Sequence, residues 1–64
     1  MAELTSFSLT NEGGTETLTL IVREGGVESV LYPKGAQTPE RSFFPGVLLK
    51  EAVQEAYTKG WKVA

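Results

Sequence analysis

Hydrophobic and polar residues alternate along the first half of the chain and change to a helical spacing near its end. The alternation has a period of two, which predicts strands over about 4–10, 16–23 and 27–32. From about Val47 to Lys59, apolar residues instead recur every three or four positions. We therefore predict one α+β domain over residues 1–64, a three-stranded antiparallel β-meander followed by one amphipathic C-terminal helix.

A short internal repeat marks both predicted turns. Residues 12–16 (EGGTE) recur 12 positions later at 24–28 (EGGVE). Gly-Gly is favoured in two-residue hairpin turns because glycine adopts positive φ without strain. When the turns are centred on the two glycine pairs, both hairpins place the same side chains of the middle strand on the core face. The face predicted to form the core then consists of Phe7, Leu9, Leu18, Leu20, Val22 and Leu31.

The second turn leaves two registers open. With Gly25-Gly26 at its centre, Ile21 lies opposite Val30 and Thr19 lies opposite Tyr32. A three-residue loop over 24–26 instead turns Val30 and Tyr32 to the core face. Because the third strand is apolar on both sides, its periodicity does not choose between the two registers.

The segment between the predicted sheet and helix is rich in proline, with three prolines within residues 33–45. Proline lacks an amide donor and has a restricted φ, so we predict neither a helix nor a central strand there. Pro45 is predicted to occupy the first helical position. Phe43 is predicted to pack on Leu48 as a hydrophobic staple.

The end of the helix has a clearer signature than its beginning. Gly60 is predicted to follow the last helical turn in the left-handed conformation, and Trp61 is predicted to fold back towards Ala56. Residues 61–63 are compatible with a short final strand beside the sheet.

The composition excludes several kinds of covalent, metal-binding and catalytic site. The chain has no Cys and no His, so it has no disulfide, no thiolate metal site and no histidine-dependent triad. We therefore predict no catalytic residue, no metal and no cofactor. An enzyme using Lys or a buried Glu is the alternative, with Glu16 and Glu28 at equivalent positions of the repeat. Both are expected to be solvated at the starts of strands, because Glu is rarely buried.

Charge and hydropathy limit where the protein is expected to reside and which partners it is expected to bind. The net charge is −2, and no apolar run approaches the roughly 20 residues that span a bilayer. The first residues lack a secretion signal, so we expect a soluble cytoplasmic protein. Nucleic acid repels an acidic domain unless the cations of that domain cluster. Binding through the sheet would require four cations to converge, namely Arg23, Lys34, Arg41 and Lys62.

The main functional clue is the predicted sheet face that the helix leaves open. We expect no basic residue on this face, and its candidate contact residues are Thr19, Ile21, Val30 and Tyr32. Antiparallel sheets usually expose polar side chains there, so an apolar patch indicates a protein contact. Ordinary strand propensity explains the same residues equally well.

Small size supports a role in protein interaction. A core of this size contributes only about 3–5 kcal/mol of net stability, and self-association is one way to add to it. We predict a non-catalytic protein-interaction module, either a homodimer or a subunit of a larger assembly. The alternatives are a nucleic-acid-binding domain that uses its sheet face and a small enzyme that uses Glu or Lys.

Overall fold

The computed structural model describes residues 5–64 and contains one antiparallel sheet and one helix within them. The elements are β1 (Ser6–Thr10), β2 (Thr17–Arg23), β3 (Gly26–Tyr32), β4 (Glu40–Pro45), α1 (Leu49–Thr58) and β5 (Lys62–Val63). The strand order is β4-β3-β2-β1-β5, so α1 connects the two edge strands. The predicted α+β class is confirmed, and the predicted meander forms the middle of a larger sheet. The predicted start of the first strand at residue 4 lies outside the described residues.

The first hairpin has the predicted register but a longer loop. Phe7 pairs with Leu20, as predicted from the glycine positions. The connection is not a two-residue Gly-Gly turn, because the backbone N–H of Asn11 still donates to the carbonyl of Glu16 at 3.2 Å. The side-chain oxygen of Asn11 accepts from the N–H groups of Thr15 and Glu16 at 2.8 and 3.1 Å. An asparagine side chain therefore closes this loop.

The second hairpin has a different register from either prediction. Thr19 pairs with Val30, and Ile21 pairs with Glu28. The pairs predicted for Thr19 and Ile21 are therefore wrong. The reason is that Glu24 and Gly25 form the turn, with Gly25 alone at positive φ (82°), while Gly26 already belongs to β3. The shift from the two-glycine register is two residues, so every side chain keeps its predicted face.

Strand β4 is the element that the proline-rich pattern did not predict. It pairs with β3 at the edge of the sheet, with Val27 opposite Phe44 and Glu28 opposite Phe43. Pro45 is its last residue, a position where a missing amide donor is tolerated. The predicted helical position of Pro45 and the predicted staple between Phe43 and Leu48 are both wrong, because Phe43 and Pro45 belong to this strand.

The helix begins after β4, and a glutamate supports its first turn. Leu48 is the N-cap residue, and its backbone N–H donates to the Glu51 carboxylate at 3.1 Å. A carboxylate in the first turn also interacts favourably with the helix dipole. The helix thus starts two residues later than the predicted Val47.

The end of the helix confirms the prediction from the glycine. Gly60 has φ 99°, and the N–H groups of Gly60 and Trp61 donate to the carbonyls of Tyr57 and Ala56, both at 3.0 Å. This is the Schellman arrangement. The chain then enters β5, where Val63 pairs with Leu9, so the short final strand exists.

The hydrophobic core lies where α1 crosses the sheet. Leu9, Leu20, Val27 and Ala56 are each at most 5% exposed. Val27, which the predicted core did not include, is buried beneath the helix because of the shifted register of β3. Within residues 5–64, no helix combines the length and apolar content needed to cross a membrane.

The close approach of β4 to Gly26 yields a first prediction. A Cβ atom at Gly26 would lie 2.9 Å from both the Phe43 Cζ and the Pro45 Cα, and would also clash with the Phe44 carbonyl oxygen. We expect Gly26→Ala to lower the free energy of unfolding by about 1–3 kcal/mol, the usual cost of overpacking. Urea denaturation followed by Trp61 fluorescence measures this change.

Gly13→Ala is the matched control, because a Cβ at Gly13 has no neighbouring atom within 4 Å. We expect this variant to remain within about 0.5 kcal/mol of the original protein. Equal stabilities of the two variants would contradict the packing of β4 over Gly26.

Candidate interaction surfaces

The sheet face opposite α1 is not covered by any helix of residues 5–64, and we call it the open face. The alternation of each strand determines which side chains it carries. The predicted contact residues Thr19, Ile21, Val30 and Tyr32 all lie on it. Its other central members are Arg23, Glu28, Arg41 and Phe43.

Two aromatic rings on the open face are about half exposed. Tyr32 is 48% exposed and Phe43 is 49% exposed. Val30, between its strand partners Thr19 and Arg41, is only 2% exposed. Neighbouring side chains thus already cover the centre of the predicted patch. Sequence analysis missed Phe43, although two adjacent phenylalanines are typical of a strand with both faces in use.

A cluster of three charged side chains lies beside Phe43, because its central residue Glu28 pairs with Phe43. Tyr32 lies four residues further along β3. The Glu28 carboxylate accepts from Arg23 Nε at 2.9 Å and from Arg41 Nη1 at 3.3 Å. The Glu28 side chain is 18% exposed, whereas those of Arg23 and Arg41 are 53% and 59% exposed. The expectation of no basic residue on this face is wrong, because Arg23 continues the alternation of β2 and Arg41 is contributed by β4.

The electrostatics of Glu28 follow from these contacts. The hydrogen bond from Arg23, and then that from Arg41, hold the pKa of Glu28 below its ordinary value. A general acid at neutral pH needs the opposite shift. Glu28 is therefore an ion-pair partner, and not the solvated residue that was expected at the start of a strand.

The remaining candidate residues do not join this cluster. Glu16 accepts instead from Asn11 at 3.4 Å and from the backbone N–H of Lys34 at 3.3 Å. Lys62 pairs with Thr10 and therefore also lies on the open face, but on the far edge strand β5. Only two of the four cations required for nucleic-acid binding therefore converge. Among residues 5–64, no three carboxylates come close enough together to hold a metal ion.

The helix side of the sheet has a second surface, which sequence analysis missed. A groove of about 580 Å³ lies between α1 and strands β2, β3 and β4. Leu31 and Phe44 contribute to its floor, and Trp61 contributes to its lining. Glutamates line it from both sides, with Glu40 on β4 and Glu55 on α1. This groove exists only because β4 extends the sheet beyond the helix.

The ion pairs of the open face predict the titration of Glu28. Its pKa should lie below that of an unperturbed glutamate, and Arg23→Gln should raise it more than Arg41→Gln because the Arg23 hydrogen bond is the larger cause. Carbon-detected NMR measures the titration midpoint of the Glu28 carboxyl in each protein. A midpoint in the original protein that is not lower than that of an exposed glutamate of the same chain, such as Glu12, would contradict the cluster.

The lowered pKa of Glu28 determines how its contribution to stability depends on pH. Because folding lowers the pKa, ionised Glu28 stabilises the fold at pH values above the unfolded pKa. That contribution decreases as the pH falls through the folded pKa. The stability difference between the original protein and Glu28→Gln should therefore be largest near neutral pH and disappear in acid, as measured by urea denaturation across this range.

Comparison with known proteins does not assign the chain to a family. No family model matches it, and neither a curated protein nor a solved structure shows detectable similarity to it. The two surfaces of this structure, the open face and the groove, are therefore the basis for a proposed function.

Proposed function

We propose that this protein is a non-catalytic protein-interaction module that associates with a second copy of itself through the open face. The observation that carries the proposal is that two half-exposed aromatic rings, Tyr32 and Phe43, and two exposed arginines lie on one face of the sheet. Aromatic residues and arginine are enriched at protein interfaces and at their energetic hot spots. A cytoplasmic location is part of this proposal.

The small core of the monomer and the charges on the open face both support a second copy of this chain as the partner. The chain has no Cys and no His for disulfides or a common structural metal site, and four residues form the buried core cluster beneath α1. A symmetric dimer places the same patch on both sides of the contact. The open face has an anion, Glu28, between two cations, so two copies related by a two-fold axis can meet without large like-charge repulsion.

A charge placed on the exposed ring should weaken this association. We expect Tyr32→Glu to raise the dimer dissociation constant by about tenfold or more, because it desolvates a carboxylate at an aromatic contact. Light scattering coupled to size-exclusion chromatography, over a wide range of protein concentration, measures the molar mass. Circular dichroism confirms that the variant is folded.

Tyr57→Glu is the matched control, because Tyr57 is 40% exposed on α1 and lies away from the open face. This variant should associate like the original protein. The proposal fails if the original protein is a monomer at every concentration, or if both tyrosine variants weaken association equally.

A second candidate function, binding of single-stranded nucleic acid, is favoured by one specific observation. Arg23 and Arg41 lie on the same face as Tyr32 and Phe43, and basic grooves with exposed aromatic rings bind single strands. Against it, Glu28 neutralises part of this charge, and the whole chain is acidic at −2.

The Glu28 carboxylate provides the test of nucleic-acid binding. If the face binds nucleic acid, Glu28→Gln should bind a fluorescein-labelled oligothymidylate more tightly than the original protein does, with an affinity that falls as salt is added. Fluorescence anisotropy at low ionic strength measures both affinities. If neither protein changes the anisotropy, this candidate is removed.

A further inference from the structure

We propose that the groove between α1 and β4 binds a cationic amphipathic helix of a partner protein. The groove lies on the side of the sheet opposite the open face, so this inference does not rest on self-association. It rests on three features of the groove, namely the uncovered width of the sheet, the shape of the groove along α1 and the charge of its rim.

The first feature is uncovered space beside α1. Five strands spaced about 4.8 Å apart span roughly 19 Å, whereas a helix with its side chains is about 10–12 Å wide. α1 packs mainly on β2 and β3, so among residues 5–64 the part of the sheet near β4 is less covered by a helix. Phe44 of β4 remains 46% exposed on this floor. A second helix beside α1 would cover this area.

The second feature is the shape of the groove. Its wall on α1 includes Glu51, Ala52, Glu55 and Lys59, which recur along one side of the helix. The groove therefore follows α1 for two turns, or roughly 12 Å. The small side chain of Ala52 permits close approach, and packed helix axes lie about 8–10 Å apart. A groove of this length accommodates about two turns of a partner helix.

The third feature is the charge of the rim. Glu40, Glu51 and Glu55 line the groove against one cation, Lys59. The Lys59 ammonium lies 3.9 Å from the Glu55 carboxylate, and both side chains are about 70% exposed (68% and 72%), so this pair is weak. An apolar floor with an acidic rim is complementary to a helix that carries leucines on one face and Lys or Arg beside them.

A second copy of this chain does not provide such a helix. Within residues 5–64, α1 is the only helix, and its apolar residues Ala52, Val53 and Ala56 already pack in its own core. Its exposed side carries two glutamates, Glu51 and Glu55, and one lysine, Lys50, so it is not cationic. The occupant is therefore a helix of a different protein.

Trp61 gives a direct test, because it is the only tryptophan and it lines the groove. The probe is a tryptophan-free helical peptide of Leu, Ala and Lys with its leucines on one face, and its counterpart carries Glu in place of Lys. We expect the Lys peptide to change Trp61 fluorescence in a saturable way, and the Glu peptide to leave it unchanged. The proposal is overturned if the Lys peptide has no effect or if both peptides bind equally.

Charge-reversal variants locate the binding site. The double variant Glu40→Lys/Glu55→Lys should weaken binding of the Lys peptide by about tenfold, because it replaces attraction at the rim with repulsion. The control Glu12→Lys/Glu24→Lys changes the net charge equally at exposed residues of the two hairpin loops. If both double variants weaken binding to the same extent, the effect is one of net charge and the groove is not the site.

An engineered thiol distinguishes a partner helix from a second copy of this chain as the occupant of the groove. It can be placed at one chosen position because the chain has no Cys. Ser42→Cys places the thiol in the groove, and Ser8→Cys places it on the open face. The Lys peptide should protect only the groove thiol from alkylation, and should still do so in a Tyr32→Glu background. If the groove thiol becomes protected as the protein itself is concentrated without peptide, a second copy is the occupant and the proposal is wrong.

Discussion

A single helix about 10–12 Å wide cannot cover a sheet of five strands, and the main surface features of this protein follow from that mismatch. α1 crosses β2 and β3, and the buried core cluster lies at that crossing, around Leu20, Val27 and Ala56. Beyond the crossing, the helix side of the sheet is left as a groove. The other side of the sheet has no helix from residues 5–64 and forms the open face. The fold thus presents two apolar surfaces that its own elements do not fill.

The two surfaces differ in charge because consecutive residues of a strand point to opposite sides. Glu40 and Arg41 are neighbours in β4, yet Glu40 lines the groove and Arg41 lies on the open face. The groove rim is therefore acidic, while the open face carries two arginines around one carboxylate, Glu28. Separate surfaces of opposite electrostatic character favour two different contacts, one with a second copy and one with a cationic partner.

The pairing of β3 with β4 contributes to both the open face and the groove. Gly26 is unusual at the start of an interior strand, and its missing side chain leaves space for the Phe43 ring and the backbone of β4. Two pairs further along the same two strands, Glu28 is held by Arg41 from β4 and by Arg23 from β2. The same edge strand thus positions an exposed ring, one arm of the charged cluster and one side of the groove.

Local patterns in the sequence determined much of the fold. The alternation of β1, β2 and β3 assigned every predicted core residue to its correct face, even though the second register was shifted, because a shift of two residues preserves the face. Gly60 predicted the helix end, since its left-handed conformation is a local property of the chain. Tertiary structure alone decided the position of β4, because an edge strand tolerates proline and needs no periodic signal. It also decided the contacts of Glu28 with Arg41 and the groove beneath α1, since these depend on side chains that only the assembled sheet brings together.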